Sequence, residues 1–198
     1  MHGHGGEDGG AVSRNGISEA NINLSIALKL QYLLEQSGAT VILTRSTDEA
    51  IYDADDDDNI REKKVSDLKN RVKIGNESSA DAFVSIHLNK IPQEQYYGWQ
   101  TFYKKNNEQS KKLAESIQNN LNEAIQKENK RLAKTIENIY IVDHIEIPIT
   151  IVECGFLSNT EELKNLQDEE YQERLACGIH NGILDWIMKN EELIINNE

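Results

Sequence analysis

The chain has 198 residues, of which 21 are Lys or Arg and 34 are Asp or Glu, giving a formal charge of −13. That length suits one α/β domain with a core deep enough for a preorganised site, and the charge opposes attraction to phosphate backbones or anionic lipid, so nucleic acid is excluded as an expected partner. The two cysteines, Cys154 and Cys177, form no CxxC pair, and no apolar run approaches the roughly 18 residues a membrane span requires, which excludes a disulfide framework, a cysteine-type zinc site and a membrane anchor within the sequence.

Residues 2–16 are glycine-rich and polar and read as a loop able to fold tightly around a ligand. Ser18 is placed to cap a helix running to Gln36, with Leu24, Ala27, Leu28, Leu30, Leu33 and Leu34 at helical spacing and Gly38 as its stop. The β-branched run 39–44 predicts a buried strand. From 46 to 64 the chain is polar, with Asp53 and Asp55 to Asp58 nearly contiguous, and predicts a solvated acidic loop. Helical spacing resumes over 65–78 through Leu68, Val72 and Ile74. Strands are predicted at 82–88 and 98–103, and an amphipathic helix at 110–130 from Leu113, Ile117, Leu121 and Ile125. Residues 139–142 and 148–154 read as further strands, and 169–188 as a closing helix. The alternation of helix and strand without an internal repeat predicts a single α/β domain: a mostly parallel twisted sheet with helices on both faces.

Three possible metal ligands fall where a parallel α/β sheet places its active site, in loops or at strand ends near the carboxyl edge. His4 lies in the Gly3-His4-Gly5-Gly6 loop, Glu19 in the first turn of the first helix, and His87 at the end of the 82–88 strand. Two imidazoles and a carboxylate, with a position left for water, match a catalytic zinc site better than a closed structural one. Taken singly, each has a plainer reading: a histidine at a strand end often only hydrogen-bonds at the surface, and Glu19 complements the helix dipole. Glu153 ends the apolar run Ile149-Thr150-Ile151-Val152, where burial raises a carboxyl pKa and suits it to accept and return a proton. Cys154 points to the opposite side of that strand, as a small core residue. Arg45 is either a holder of a substrate carboxylate or a structural ion pair, and Tyr96, Tyr97 and Trp99 either stack on sugars or pack beneath their loop.

These residues stand in segments that resemble the amidase-3 family of zinc N-acetylmuramoyl-L-alanine amidases along nearly the whole chain. The matching segments, in order, are Gly3-His4-Gly5-Gly6-Glu7-Asp8-Gly9-Gly10-Ala11, Gly16-Ile17-Ser18-Glu19, Thr44-Arg45, Ser85-Ile86-His87-Leu88-Asn89 and Val152-Glu153-Cys154-Gly155-Phe156-Leu157-Ser158-Asn159. The resemblance implies Zn2+ held by His4, Glu19 and His87, Glu153 as the catalytic glutamate, and hydrolysis of the amide joining the lactyl group of muramic acid to L-alanine in peptidoglycan.

The connection Leu88-Asn89-Lys90-Ile91-Pro92, with Tyr97-Gly98-Trp99-Gln100-Thr101-Phe102-Tyr103, is most similar to the germination-specific branch acting on spore cortex. The alternatives are a vegetative wall amidase and a carboxypeptidase-type zinc peptidase, which needs an arginine clamp from Arg45, Arg61 or Arg71. Met1-His2 stands in place of the family's usual Asp-Pro, so a trimmed first strand, a missing leader and an exported enzyme are expected, with His2 able to compete for metal. The connection from His87 to Trp99 is too short for an inserted capping helix and no wall-binding repeat is present, so a recruiting or activating protein partner is expected.

Overall fold

The computed structural model describes residues 4–53 and 59–195, so His2 and Asp55 to Asp58 lie outside the described residues. In chain order the elements are α1 (Glu19–Gln36), α2 (Ile60–Glu77), β1 (Phe83–Asn89), β2 (Gln100–Lys104), α3 (Glu108–Ile125), β3 (Lys134–Ile136), α4 (Tyr140–His144), β4 (Ile149–Phe156), α5 (Thr160–Leu166) and α6 (Glu169–Ile195). The strands form one sheet in the order β1-β4-β2-β3. Two of its pairings are parallel, β1 with β4 and β2 with β3, and β2 runs antiparallel to β4. This is the expected mostly parallel α/β sheet.

The period-two alternation of side chains divides the core into two layers. Val84, Ile86 and Leu88 of β1, with Val152 and Cys154 of β4, pack under the apolar stripes of α1, α3 and α6. Cys154 is fully buried there, as its strand position predicts. Phe83, Ile149 and Ile151 point to the other face, where they meet Ile141, Val142 and Ile145 in and just after α4, with α2 beside it. His87 and Glu153 continue these second rows toward the carboxyl edge. The register places them opposite each other, with Gln100 on the far side of Glu153.

Several elements differ from the sequence expectation: α6 runs on to Ile195, and four further differences have a local reason. Residues 39–44 form no strand: Ala39 and Val41 pack against the core, but no neighbouring strand among the described residues offers them a ladder. Residues 139–142 enter a short helix instead, because a single helical turn turns Ile141, Val142 and Ile145 together onto the sheet; a continuous apolar run fits either geometry. The polar stretch ends earlier than 64. Asn59 accepts a hydrogen bond from the Arg61 N–H and caps α2 at Ile60, so the helix takes in residues 60–64 without any apolar periodicity there. The predicted helix over 110–130 stops at Ile125, the last member of its buried stripe, where Gln126 turns left-handed with φ 56°. Downstream, β3 and α5 arise from segments too short to signal themselves by periodicity. Asn159 starts α5 by accepting the Glu162 N–H.

Candidate metal centre

The loop ahead of α1 is held close to the helix by its own hydrogen bonds. Ser18, the α1 N-cap, accepts from the Ala20 N–H and donates its hydroxyl to the Gly9 carbonyl, while the Glu19 N–H donates to the Ala11 carbonyl. His4 sits in this loop with a left-handed backbone, φ 62°. Arg71, buried on α2, donates to the His4 carbonyl at 3.2 Å and also pairs with Asp67 and the Thr44 hydroxyl. Gly10, at φ +66°, makes room for the site: a Cβ there would lie 2.6 Å from His4 Cδ2 and 2.7 Å from Glu19 Oε2.

His4, Glu19 and His87 each present a ligand atom, and these atoms all lie within 4.8 Å of one another. Glu19 Oε1 is 3.6 Å from His4 Nε2 and 3.1 Å from His87 Nδ1. Bonds of about 2.0–2.1 Å in tetrahedral geometry place neighbouring ligands roughly 3.3–3.4 Å apart, so these spacings bracket what a zinc-sized ion requires. The two rings meet edge to face, with centroids 5.3 Å apart. The set is therefore a fit for a metal in both donor chemistry and spacing.

The groups around the triad orient His4 and bear on the charge of Glu19 and His87. His4 Nδ1 is 2.8 Å from Asp8 Oδ2, a carboxylate on the far ring nitrogen that leaves Nε2 free to act as donor to a metal. The His4 hydrogen bond holds the Asp8 carboxyl far below the usual carboxylate range. Burial pushes the Glu19 carboxyl up, but the His87 hydrogen bond, the charges of His87 and His4 and the Ala11 N–H outweigh it and lower the pKa to about 2. Burial pushes His87 toward its neutral, ligating form, against the pull of Glu19.

Glu153 differs from Glu19 in its surroundings. Its Oε2 is sealed from solvent, and no hydrogen-bond donor among the described residues reaches it. Burial first, and then the negative charge of Glu19, push its pKa up to about 8. With His4 and His87 it lines a cavity of about 260 Å³ whose apolar lining is Ile136, Ile139, Ile141 and Ile151. Lys64, Asp67, Leu68 and Arg71, at helical spacing along α2, close the remaining side.

The sequence matches the amidase-3 family, described as N-acetylmuramoyl-L-alanine amidases, over residues 1–185. The chain belongs to the amidase-3 family. Among curated relatives, the germination-specific N-acetylmuramoyl-L-alanine amidase of Bacillus subtilis is 36% identical over 182 residues, 92% of this chain and 76% of that protein. Among solved structures, the CwlD amidase of Clostridioides difficile, determined in complex with the GerS lipoprotein, superposes with a TM-score of 0.91 at 45% identity, covering 94% of this chain and 95% of that one. The catalytic domain of the amidase CwlV from Bacillus (Paenibacillus) polymyxa var. colistinus gives 0.79 at 31%, covering 93% and 94%. This chain is accordingly an N-acetylmuramoyl-L-alanine amidase, a peptidoglycan hydrolase most similar to the germination-specific branch of its metal-dependent family.

The structure decides several of the sequence readings. Arg45 is buried and spends its guanidinium on the Thr47 and Ala20 carbonyls at 2.7 and 2.8 Å, which makes it structural. Trp99 is fully buried, with its indole N–H on Asn122, while Tyr96 and Tyr97 remain partly exposed. No helix lies between β1 and β2. Two residues beside the triad went unnoticed in the sequence. Asp8 stands inside a quoted motif, but nothing in a loop's spacing pairs it with His4. Asn23 did carry a signal, since it falls at i+4 from Glu19 on a predicted helix.

Proposed function

We propose that this amidase holds Zn2+ through His4, Glu19 and His87, uses Glu153 as its catalytic carboxylate, and cleaves the lactyl–L-alanine amide of spore-cortex peptidoglycan on the way to muramic lactam. What carries this reading is Glu153, which stands one strand away from His87, lines the same cavity as His4 and His87, and keeps a buried carboxylate oxygen that no donor among the described residues reaches. A structural glutamate would be paired; this one is held apart from every donor among the described residues, as a group that must exchange a proton is.

Bound zinc supplies Lewis acidity, which polarises the scissile carbonyl and makes nearby water more acidic. The chain's residues do the rest. The Glu153 carboxylate takes the proton of the attacking water as the water oxygen adds to the lactyl carbonyl carbon. It returns that proton to the alanine nitrogen as the C–N bond breaks, leaving a free carboxylate on the muramic acid and a free amine on the peptide. A pKa near 8 suits a group that must both accept and release near neutrality. Asp8 holds the His4 ring in place, and the isoleucines give the cavity an apolar lining beside the polar groups.

The cortex assignment is supported by the similarity to germination-specific amidases, and the same similarity supports a protein partner for this chain, because the Clostridioides difficile amidase was solved with a lipoprotein bound. Cell-wall amidases of this kind act outside the cytoplasm, and we place this one there too. A carboxypeptidase reading finds no support at the cavity: Arg45 and Arg71 are buried and paired, and Arg61 does not line it.

The test is mass analysis of muropeptides after incubating cortex-type peptidoglycan with zinc-loaded protein, beside a His87→Ala preparation. Stem peptides beginning at L-alanine should appear with the parent and be absent with the variant, which should also fail to retain stoichiometric zinc. Products that keep L-alanine on muramic acid would overturn the substrate assignment, and full zinc retention by His87→Ala would overturn the ligand set.

A further inference from the structure

Asn23 touches no substrate and belongs to no motif, yet it occupies a costly position. It is completely buried on α1, one turn after Glu19, with the apolar Ile22, Ile26 and Ala27 as chain neighbours. Its Nδ2 donates to Glu19 Oε1 at 3.1 Å, while no protein donor among the described residues reaches its Oδ1. The orientation of the amide follows from that contact, because a flipped amide would set its oxygen against the carboxylate. A buried asparagine with half of its hydrogen-bonding capacity unmet works against the fold. What it does instead is direct Glu19.

Besides its contact with His87, the carboxylate is held at three points. The Leu88 N–H donates to Oε1 at 3.0 Å and the Ala11 N–H to Oε2 at 2.8 Å, so one donor comes from β1 and one from the His4 loop. Both shift with the segments that carry His87 and His4. Among the described residues, Asn23 supplies the only donor from the helix that carries Glu19 itself. It therefore fixes the plane of the carboxylate relative to its own backbone before any ion arrives, with Oε1 kept toward both imidazoles.

We propose that Asn23 is a positioning residue for the metal centre, orienting Glu19 as a ligand at the expense of the apo fold. This rests on the ligand reading given above. Its signature is a pair of effects with opposite signs. Asn23→Leu keeps the shape, removes the donor and also removes the unmet oxygen. The melting temperature of the metal-free protein should hold or rise, while zinc affinity falls about 10- to 100-fold, the usual effect of losing a hydrogen bond to a metal ligand. Asn23→Ala should weaken zinc to a similar degree while lowering the metal-free melting temperature through the void it leaves.

The measurement is a competition titration of zinc against a chromophoric chelator on the full chain, with metal-free thermal melts of the same preparations. Zinc affinity within twofold of the parent in either variant overturns the proposal. So does an Asn23→Leu protein whose zinc affinity and metal-free melting temperature both fall as far as those of Asn23→Ala, since that pattern reports packing alone. Should Asn23→Leu fail to fold, the zinc affinity of Asn23→Ala decides. His87→Ala, titrated alongside, separates the two readings: tight zinc binding there defeats the ligand set rather than the role of Asn23.

Discussion

Two carboxylates some 130 residues apart in sequence, Glu19 and Glu153, share the burial that ordinarily raises a carboxyl pKa, and they part ways over their partners. Glu19 meets the Ala11 and Leu88 N–H groups, Asn23 and His87, and ends at about 2; Glu153 meets no donor among the described residues and ends at about 8. One is built to stay ionised, the other to change state. The substitution Glu153→Gln preserves shape and removes the proton acceptor, so zinc content and muropeptide binding should stay near parental while turnover falls by about 10² to 10⁴. Near-normal turnover would take Glu153 out of the mechanism, and lost zinc would make it a ligand. The sequence made these residues legible as types at the ends of elements, and ordered motifs raised them above a chance set. It could not show that Glu153 lacks a donor, since that depends on which side chains line the cavity from α2, β3 and α4.

At the scale of elements, legibility followed burial pattern. The stripes of α1 and α3 face one core layer and the apolar runs of β1 and β4 stand between two, so all four could be read directly; α2 could be read only from residue 65, because its first turn and most of the face it turns to the cavity are polar. Residues 39–44 carry strand-like composition without a ladder partner, and 139–142 carry it in a helical turn, so composition alone misled where pairing or face decided. The packing of α3 on α6 was also invisible. It depends on Gly178 and Gly182, spaced one turn apart in α6, which let the two backbones approach. A Cβ at Gly182 would stand 2.5 Å from Ile117 Cα, a backbone atom that cannot swing aside. Gly182→Ala should therefore destabilise despite its better helix propensity, by about 1–3 kcal/mol as for other overpacked sites. Urea unfolding of the metal-free protein measures this, and a variant as stable as the parent would mean that α3 and α6 separate easily.

At the scale of the whole molecule, the candidate centre gathers three distant parts of the chain: the loop at His4, the start of α1 at Glu19 and the end of β1 at His87. In the absence of metal those parts meet through Glu19, which contacts His4 and His87 and accepts the Ala11 and Leu88 N–H groups, in a chain whose formal charge of −13 already favours expansion. An ion bound only by the folded form adds stability in proportion to the logarithm of its excess, about 4 kcal/mol at a thousandfold over Kd. For a chain of this length each kcal/mol moves the melting point by roughly 2–4 °C, so saturating zinc should raise it by roughly 10 °C and a chelator should remove the whole increment. His87→Ala should melt at one temperature with or without zinc. The comparison needs scans of parent and variant at equal protein concentration, each with zinc and with chelator. An equal zinc-dependent rise in both would place the stabilising ion elsewhere, and no rise in the parent would show that the triad gathers these segments without metal.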